Sequence, residues 1–293
     1  MRLGIDMGGS KIEIVALAGD STELLRRRVP SRRGDYLGTL AAVADLVNVA
    51  ENQLGQKATV GIGIPGAESP ATGLIKNANS TWLIGRPLRR DLESLLQREV
   101  RLANDANCFA LSEAIDGAAA GAAVVFGVIL GTGVGGGIVA HGEVLGGANA
   151  IAGEWGHNRL PGDEPVWPEC YCGRKGCVET FLSGPGMQRD HAYINGEMLD
   201  AVDIALRAAH GDAACENTLR RYDERLARAL AQVVNILDPE VIVLGGGLSN
   251  LDRLYENVPK LWGTQVFSDQ VATRFVKNRH GDASGVRGAA WLW

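Results

Sequence analysis

Apolar and polar positions fall along this chain in blocks that recur. "RLGID" (2–6) is an apolar run closing on an acid, "MGGS" (7–10) is short and glycine-bearing, and "KIEIVAL" (11–17) is apolar again. That pattern predicts strand, turn, strand. A third strand is expected near 24–30. From Asp35 to Leu54 the apolar residues Leu37, Leu40, Ala44, Val47 and Leu54 keep close to helical spacing, which predicts a helix. "TVGIGIPG" (59–66) reads as a buried strand stopped by Pro65-Gly66. The polar stretch 67–85 reads as a long loop, a feature that in compact domains is functional or disordered; Trp82 favours an ordered one. A short helix near 88–98 leads into the strand "VRLA" (100–103), then "NDAN" (104–107) and a helix rich in small residues.

Past Gly121 the opening pattern returns: "VVFGVIL" as strand, "GTGVGG" as glycine turn, "GIVAHG" as strand. The chain therefore carries an internal duplication beginning near residues 2 and 124, and two α/β domains are expected, 1–117 and 118–293. The second adds a cysteine-bearing loop, a helical region over roughly 180–236 and a strand–loop, "VIVLGGGLSN" (241–250).

Composition narrows the class. Of 293 residues 46% are hydrophobic and 22% charged, an ordinary globular mix. There is no long uncharged apolar run and no leader pattern, so a cytoplasmic protein with no membrane partner is expected. The formal charge of −5 speaks against nucleic acid as a partner. Five cysteines, an odd number, speak against a disulfide framework.

Candidate chemistry begins with the glycines. Gly61/Gly63/Gly66 and Gly131/Gly133/Gly136 both match G-x-G-x-x-G, but neither leads into a helix, as a dinucleotide fingerprint must. "GGSK" (8–11) precedes a strand and fails as a Walker loop. What remains are turns at 8–10, 131–133 and 245–247. Each alone is best read as a tight turn. Three together, with Asp6 and Lys11 beside the first, point to backbone N–H groups cradling phosphates, and to a nucleotide cleft between two similar domains of the actin-like, sugar-kinase kind. Asp105, at the end of a strand, reads from the residues alone as a helix cap. Cys170, Cys172 and Cys177 share one loop, where Gly173 and Gly176 permit sharp turns; a zinc site with three thiolates is preferred over free thiols. Cys108 and Cys215 read as buried thiols.

"GIDMGGSK", "NDAN", "GTGVGGGIVAHGEVLGGANAIAGEWGH", "CYCGRKGCVE" and "VIVLGGGLSN" together resemble the ROK family (repressor, open reading frame, kinase) over essentially the whole chain. "KNANSTWL", "VRLANDANC", "NILDPEVIVLGGG" and "HGDASGVRGAAWLW" resemble its bacterial fructokinase (manno-fructokinase) branch. The resemblance implies a duplicated actin-like (ribonuclease H-like) fold, two lobes around a nucleotide and sugar cleft, with the C-terminal helix returning to the N-terminal lobe. It implies ATP-dependent phosphorylation of a hexose 6-hydroxyl, fructose first and mannose second, with N-acetylglucosamine or glucose kinase as the alternative. Asp105 becomes the catalytic base and Asp6 the holder of Mg²⁺. Gly8, Gly9, Ser10, Lys11, Thr132, Gly133, Gly245, Gly246 and Gly247 face the nucleotide. Asn79, Asn104, Asp105, Glu154, His157 and Glu179 face the sugar. His157 completes a structural zinc site with Cys170, Cys172 and Cys177, one ring nitrogen on the metal and the other toward the sugar. A homodimer is implied. A sugar-responsive repressor of the same family is disfavoured, because the first strand begins by Leu3 with no helix-turn-helix ahead of it.

Overall fold

The computed structural model describes all residues, 1–293. The chain divides into two compact units, one of residues 1–121, 137–152 and 279–293, the other of residues 122–136 and 153–278.

In the first unit, β1 (Arg2–Met7), β2 (Lys11–Leu17) and β3 (Glu23–Pro30) form an antiparallel meander. Helix α1 (Tyr36–Leu54) starts at Asp35, whose Oδ1 accepts from Gly38 N at 2.8 Å, and stops at Gly55, in the left-handed region. It buries Leu40, Val43, Ala44, Leu46, Val47 and Ala50, whereas Leu37, expected on that face, is 74% exposed. β4 (Thr59–Ile64) pairs in parallel with β1. The polar stretch that follows is ordered by a short hairpin, β5 (Ala67–Glu68) and β6 (Ile75–Lys76). Helix α2 (Leu88–Leu96), β7 (Val100–Asn104) and α3 (Asp105–Ile115) complete the repeat, giving the strand order β3-β2-β1-β4-β7.

The parallel strands β1, β4 and β7 end at Met7, Ile64 and Asn104, so Asp6, Pro65-Gly66 and Asp105 emerge on one edge of the sheet. Ligands in open α/β sheets bind beyond such carboxyl ends.

β8 (Val124–Leu130), β9 (Val134–Ala140) and β10 (Glu143–Val144) open the second sheet, and β9 carries the chain from one unit into the other. The single helical region expected over 180–236 is four helices: α4 (Glu179–Leu182), α5 (Gly184–Asn195), α6 (Ala201–Ala209) and α7 (Ala213–Leu237). Ser183, Asp200 and Asp212 cap the last three with their side chains. After β11 (Val241–Gly245), α8 (Arg253–Trp262) and β12 (Arg274–Lys277), the sheet reads β10-β9-β8-β11-β12. Ranked by position in its own sheet this is the order of the first, so the duplication extends from motif to topology.

The chain ends in α9 (Ser284–Ala290), packed in the first unit against β1, β4 and α3. A Cβ on Gly4 would lie 2.0 Å from Val286 O, and one on Gly61 1.9 Å from Ala289 O. Glycine in "GIGIPG" thus serves backbone-to-backbone approach of a helix, which explains a phosphate-like motif with no phosphate role.

Candidate active site

In the first unit the acids converge. Asp6, half-buried at the end of β1, has its carboxyl pushed up to about 6 by burial, then by the charges of Asp105 and Glu13, against the opposing pull of Lys11. A carboxylate whose proton affinity is raised by a neighbouring carboxylate suits a cation by chemistry, and Mg²⁺ fits it. Lys11 is not free: its Nζ lies 3.4 Å from the buried Glu13, which also holds Arg26 and Arg28.

The cap at α3 is Asn104 rather than Asp105. Asn104 Oδ1 accepts from Ala106 N at 2.9 Å, and its Nδ2 donates to Gly66 O at 3.3 Å. This corrects the reading of Asp105 as the cap. Asp105 is the first helical residue, exposed, its Oδ1 accepting from Ala106 N at 2.8 Å. Asn79 is also exposed, in a loop whose Ala78, Ser80 and Leu83 are buried.

The turn at 8–10 is strapped from outside. Ser31 Oγ donates to Gly8 O at 2.6 Å, and Arg33 donates to Gly9 O at 2.8 Å and to Ser10 Oγ at 2.9 Å. Neither strap was legible, since "SRRGD" follows a strand with no motif of its own.

In the second unit, Gly131, Thr132, Gly247 and Leu248 line a cavity of about 620 Å³, whose apolar wall includes Val202, Leu206 and Leu251. Thr132 and Gly247 were expected there. The apolar wall was not, although Val202 and Leu206 stand four residues apart on α6 and are exposed, a pairing that could have flagged it. Gly184 N donates to Gly131 O at 2.8 Å, tying the 131–133 turn to the start of α5. Gly246 is left-handed, and a Cβ there would lie 2.4 Å from Leu130 O, so the 245–247 turn can close against β8 only with glycine. Glu179 Oε2 accepts from Val134 N at 3.0 Å, which places this expected sugar ligand at the rim of the second glycine turn. Glu154 is exposed.

The cysteine loop is brought to His157. Cys170 Sγ is 3.6 Å from His157 Nδ1, Cys172 Sγ is 3.6 Å from Cys177 Sγ, and the four donor atoms lie within 4.8 Å of one another. Around a tetrahedral zinc, sulfur and nitrogen ligands stand roughly 3.5–3.8 Å apart. Burial and the neighbouring Cys172 and Cys170 push the Cys177 thiol up to about 12, so three thiolates here require a cation. The donor set fits zinc. The other ring nitrogen, His157 Nε2, expected toward the sugar, is 2.9 Å from the hydroxyl of Tyr171, a side chain of the same loop.

A family model described as the ROK family matches residues 2–293. The chain is 42% identical to an N-acetyl-D-glucosamine kinase of Pectobacterium atrosepticum over 299 residues, covering 100% of this chain and 98% of that one. The ROK hexokinase of Thermus thermophilus superposes with a TM-score of 0.89 at 31% identity, covering 99% of this chain and 97% of that one. A ROK glucokinase from Streptomyces griseus, solved with glucose and AMPPNP, superposes at 0.78 and 26% identity, with 99% and 98% covered. None of these relatives carries the name fructokinase, the branch expected from the motifs. No helix is long and apolar enough to cross a membrane. With its two matched sheets, its glycine turns and a family model spanning all but the first residue, this chain belongs to the ROK family.

Proposed function

We propose that the chain is an ATP- and Mg²⁺-dependent hexose kinase acting on the 6-hydroxyl. The observation that carries this reading is the second unit's cavity, where glycine turns meet an apolar wall: backbone N–H groups suit phosphate oxygens and the wall suits a purine. Asp105 accepts the proton of the sugar hydroxyl, a role that a carboxylate on an exposed helix start can fill. Asp6 would hold Mg²⁺, which supplies neutralisation of phosphate charge when bound. His157, Cys170, Cys172 and Cys177 would hold a structural zinc, which fixes the ring of His157 and the start of α4, where Glu179 stands.

The 42%-identical relative named N-acetyl-D-glucosamine kinase supports that sugar as the first candidate. Fructose remains the second reading on one observation. The loop "KNANSTWLIG" turns Asn77 and Asn79 outward and its apolar Ala78 and Leu83 inward, a wall suited to hydroxyls rather than to an acetyl methyl. A coupled ADP-release assay with N-acetylglucosamine, fructose, mannose and glucose side by side decides between them. Absence of turnover with every hexose would overturn the kinase reading itself.

A further inference from the structure

Residues 26–33 hold five arginines in a chain of net charge −5. Most are already engaged. Arg26 and Arg28 pair with Glu13, Arg27 donates to Gln53 at 2.8 Å, and Arg33 straps the first glycine turn. Arg32 is exposed, and its guanidinium has no hydrogen-bond or ion-pair partner.

Arg32 stands on the rim of a cavity of about 660 Å³ between the edge strand β3 and α1, a volume suited to a small molecule. Val29, Ala42, Leu46 and Val49 give it an apolar floor, and Arg27 and Arg28 share the rim. Two acids also line it. Asp35 caps α1 through a neutral N–H and keeps its charge, so the lining sets three guanidiniums, of which Arg28 is already paired with Glu13, against the two carboxylates Asp35 and Asp45.

We propose that this groove is a regulatory site for a small organic phosphate, its phosphate on the forked donors of Arg32 and its apolar body on the floor. Guanidinium pairs with phosphate through two parallel N–H···O bonds, and Arg32 is the one arginine of the run whose guanidinium holds no other side chain or carbonyl. Occupation reaches the kinase chemistry by a short route. Ser31 and Arg33, the residues on either side of Arg32, are the ones that hold the carbonyls of Gly8 and Gly9. A ligand that fixes Arg32 fixes the straps of the first glycine turn.

The test uses phenyl phosphate as probe and isothermal titration calorimetry on the full chain in excess ADP, so that the nucleotide cavity is filled. One saturable site per chain is expected, with phenol and inorganic phosphate each binding at least about tenfold more weakly. Arg32→Gln should weaken the probe at least about tenfold. Ala41→Phe, which fills the groove from an exposed helix position, should do the same with Arg32 intact. No saturable binding, unchanged binding in Arg32→Gln, or inorganic phosphate binding as tightly as phenyl phosphate would overturn the site. This arm is independent of the kinase reading. The regulatory half rests on it: saturating phenyl phosphate should change the KM for ATP at least about twofold in the parent protein and not in Arg32→Gln. An unchanged KM in a protein that binds the probe would overturn regulation alone.

Discussion

The turns at Gly8-Gly9-Ser10 and Gly131-Thr132-Gly133 occupy matching places in two sheets of the same strand order. Their surroundings have diverged. The first has an acid on its own strand, a second acid pressing on it, and outside straps from Ser31 and Arg33. The second has no charge within the turn; it borrows Glu179 and opens onto an apolar wall. Duplication preserved the backbone, which supplies N–H groups to either turn, while segments from elsewhere set the local charge. The first turn is therefore set among charged groups, Asp6, Lys11 and Arg33, and the second beside an apolar surface.

The largest expected effect is at the acids. Asp105→Asn should lower turnover by about 10²–10⁴-fold, the range of general-base catalysis. Its melting temperature should stay near that of the parent, because Asn104 caps the helix. Retained turnover would remove Asp105 from the chemistry.

Asp6→Asn sharpens the contrast by separating stability from function. A shift from 3.8 to about 6 means the folded state favours the protonated form. The stability this gives is present below pH 4 and is lost as pH rises through 6, amounting to roughly 3 kcal/mol at most. Without Mg²⁺ at pH 7 the Asn variant should melt several degrees higher than the parent, with the difference gone at pH 4, yet lose most turnover. Calorimetry at both pH values measures it, and a lower melting temperature at pH 7 would contradict the strain assigned to Asp6.

For the cysteine loop, metal analysis should find one zinc per chain. Cys172→Ser should lose it and raise the sugar KM by about tenfold. Zinc-free protein of full activity would set that role aside.

Glu179→Gln tests the second turn. The amide oxygen can still accept from Val134 N, so only the charge is lost, and the expected change in KM is about fivefold, near 1 kcal/mol. Ser31→Ala tests the first, removing one strap from a turn that keeps Arg33; about twofold in KM for ATP is expected. An equal or larger effect at Ser31 than at Glu179 would reverse the ranking of the two turns.

Local pattern carried much of the fold into view. β1, β2, β4, β7, β8 and β11 were legible because a buried strand writes itself as a short apolar run, and the turns because glycines punctuate them. The breaks within 180–236 are also signalled, by Ser183 before Pro185, by Gly196 and by Asp200 and Asp212, which a reading for periodicity alone passes over. Leu37 misled in the opposite direction: an apolar residue in register with a buried face stands in water in the first turn of α1.

By itself the sequence determined the strand–glycine turn–strand unit, its repetition, and a cluster of thiols within one loop, since each depends on residues close together in the chain. Tertiary structure alone decided that α9 lies on Gly4 and Gly61, that Glu179 reaches Val134 from 45 residues away, and that Tyr171 takes the second nitrogen of His157. It also raised the proton affinity of Asp6, because burial and the field of Asp105 exist only once β1 and β7 lie in one sheet. Hydrogen bonds and charges act through space over a few ångströms, and distance along the chain does not record them.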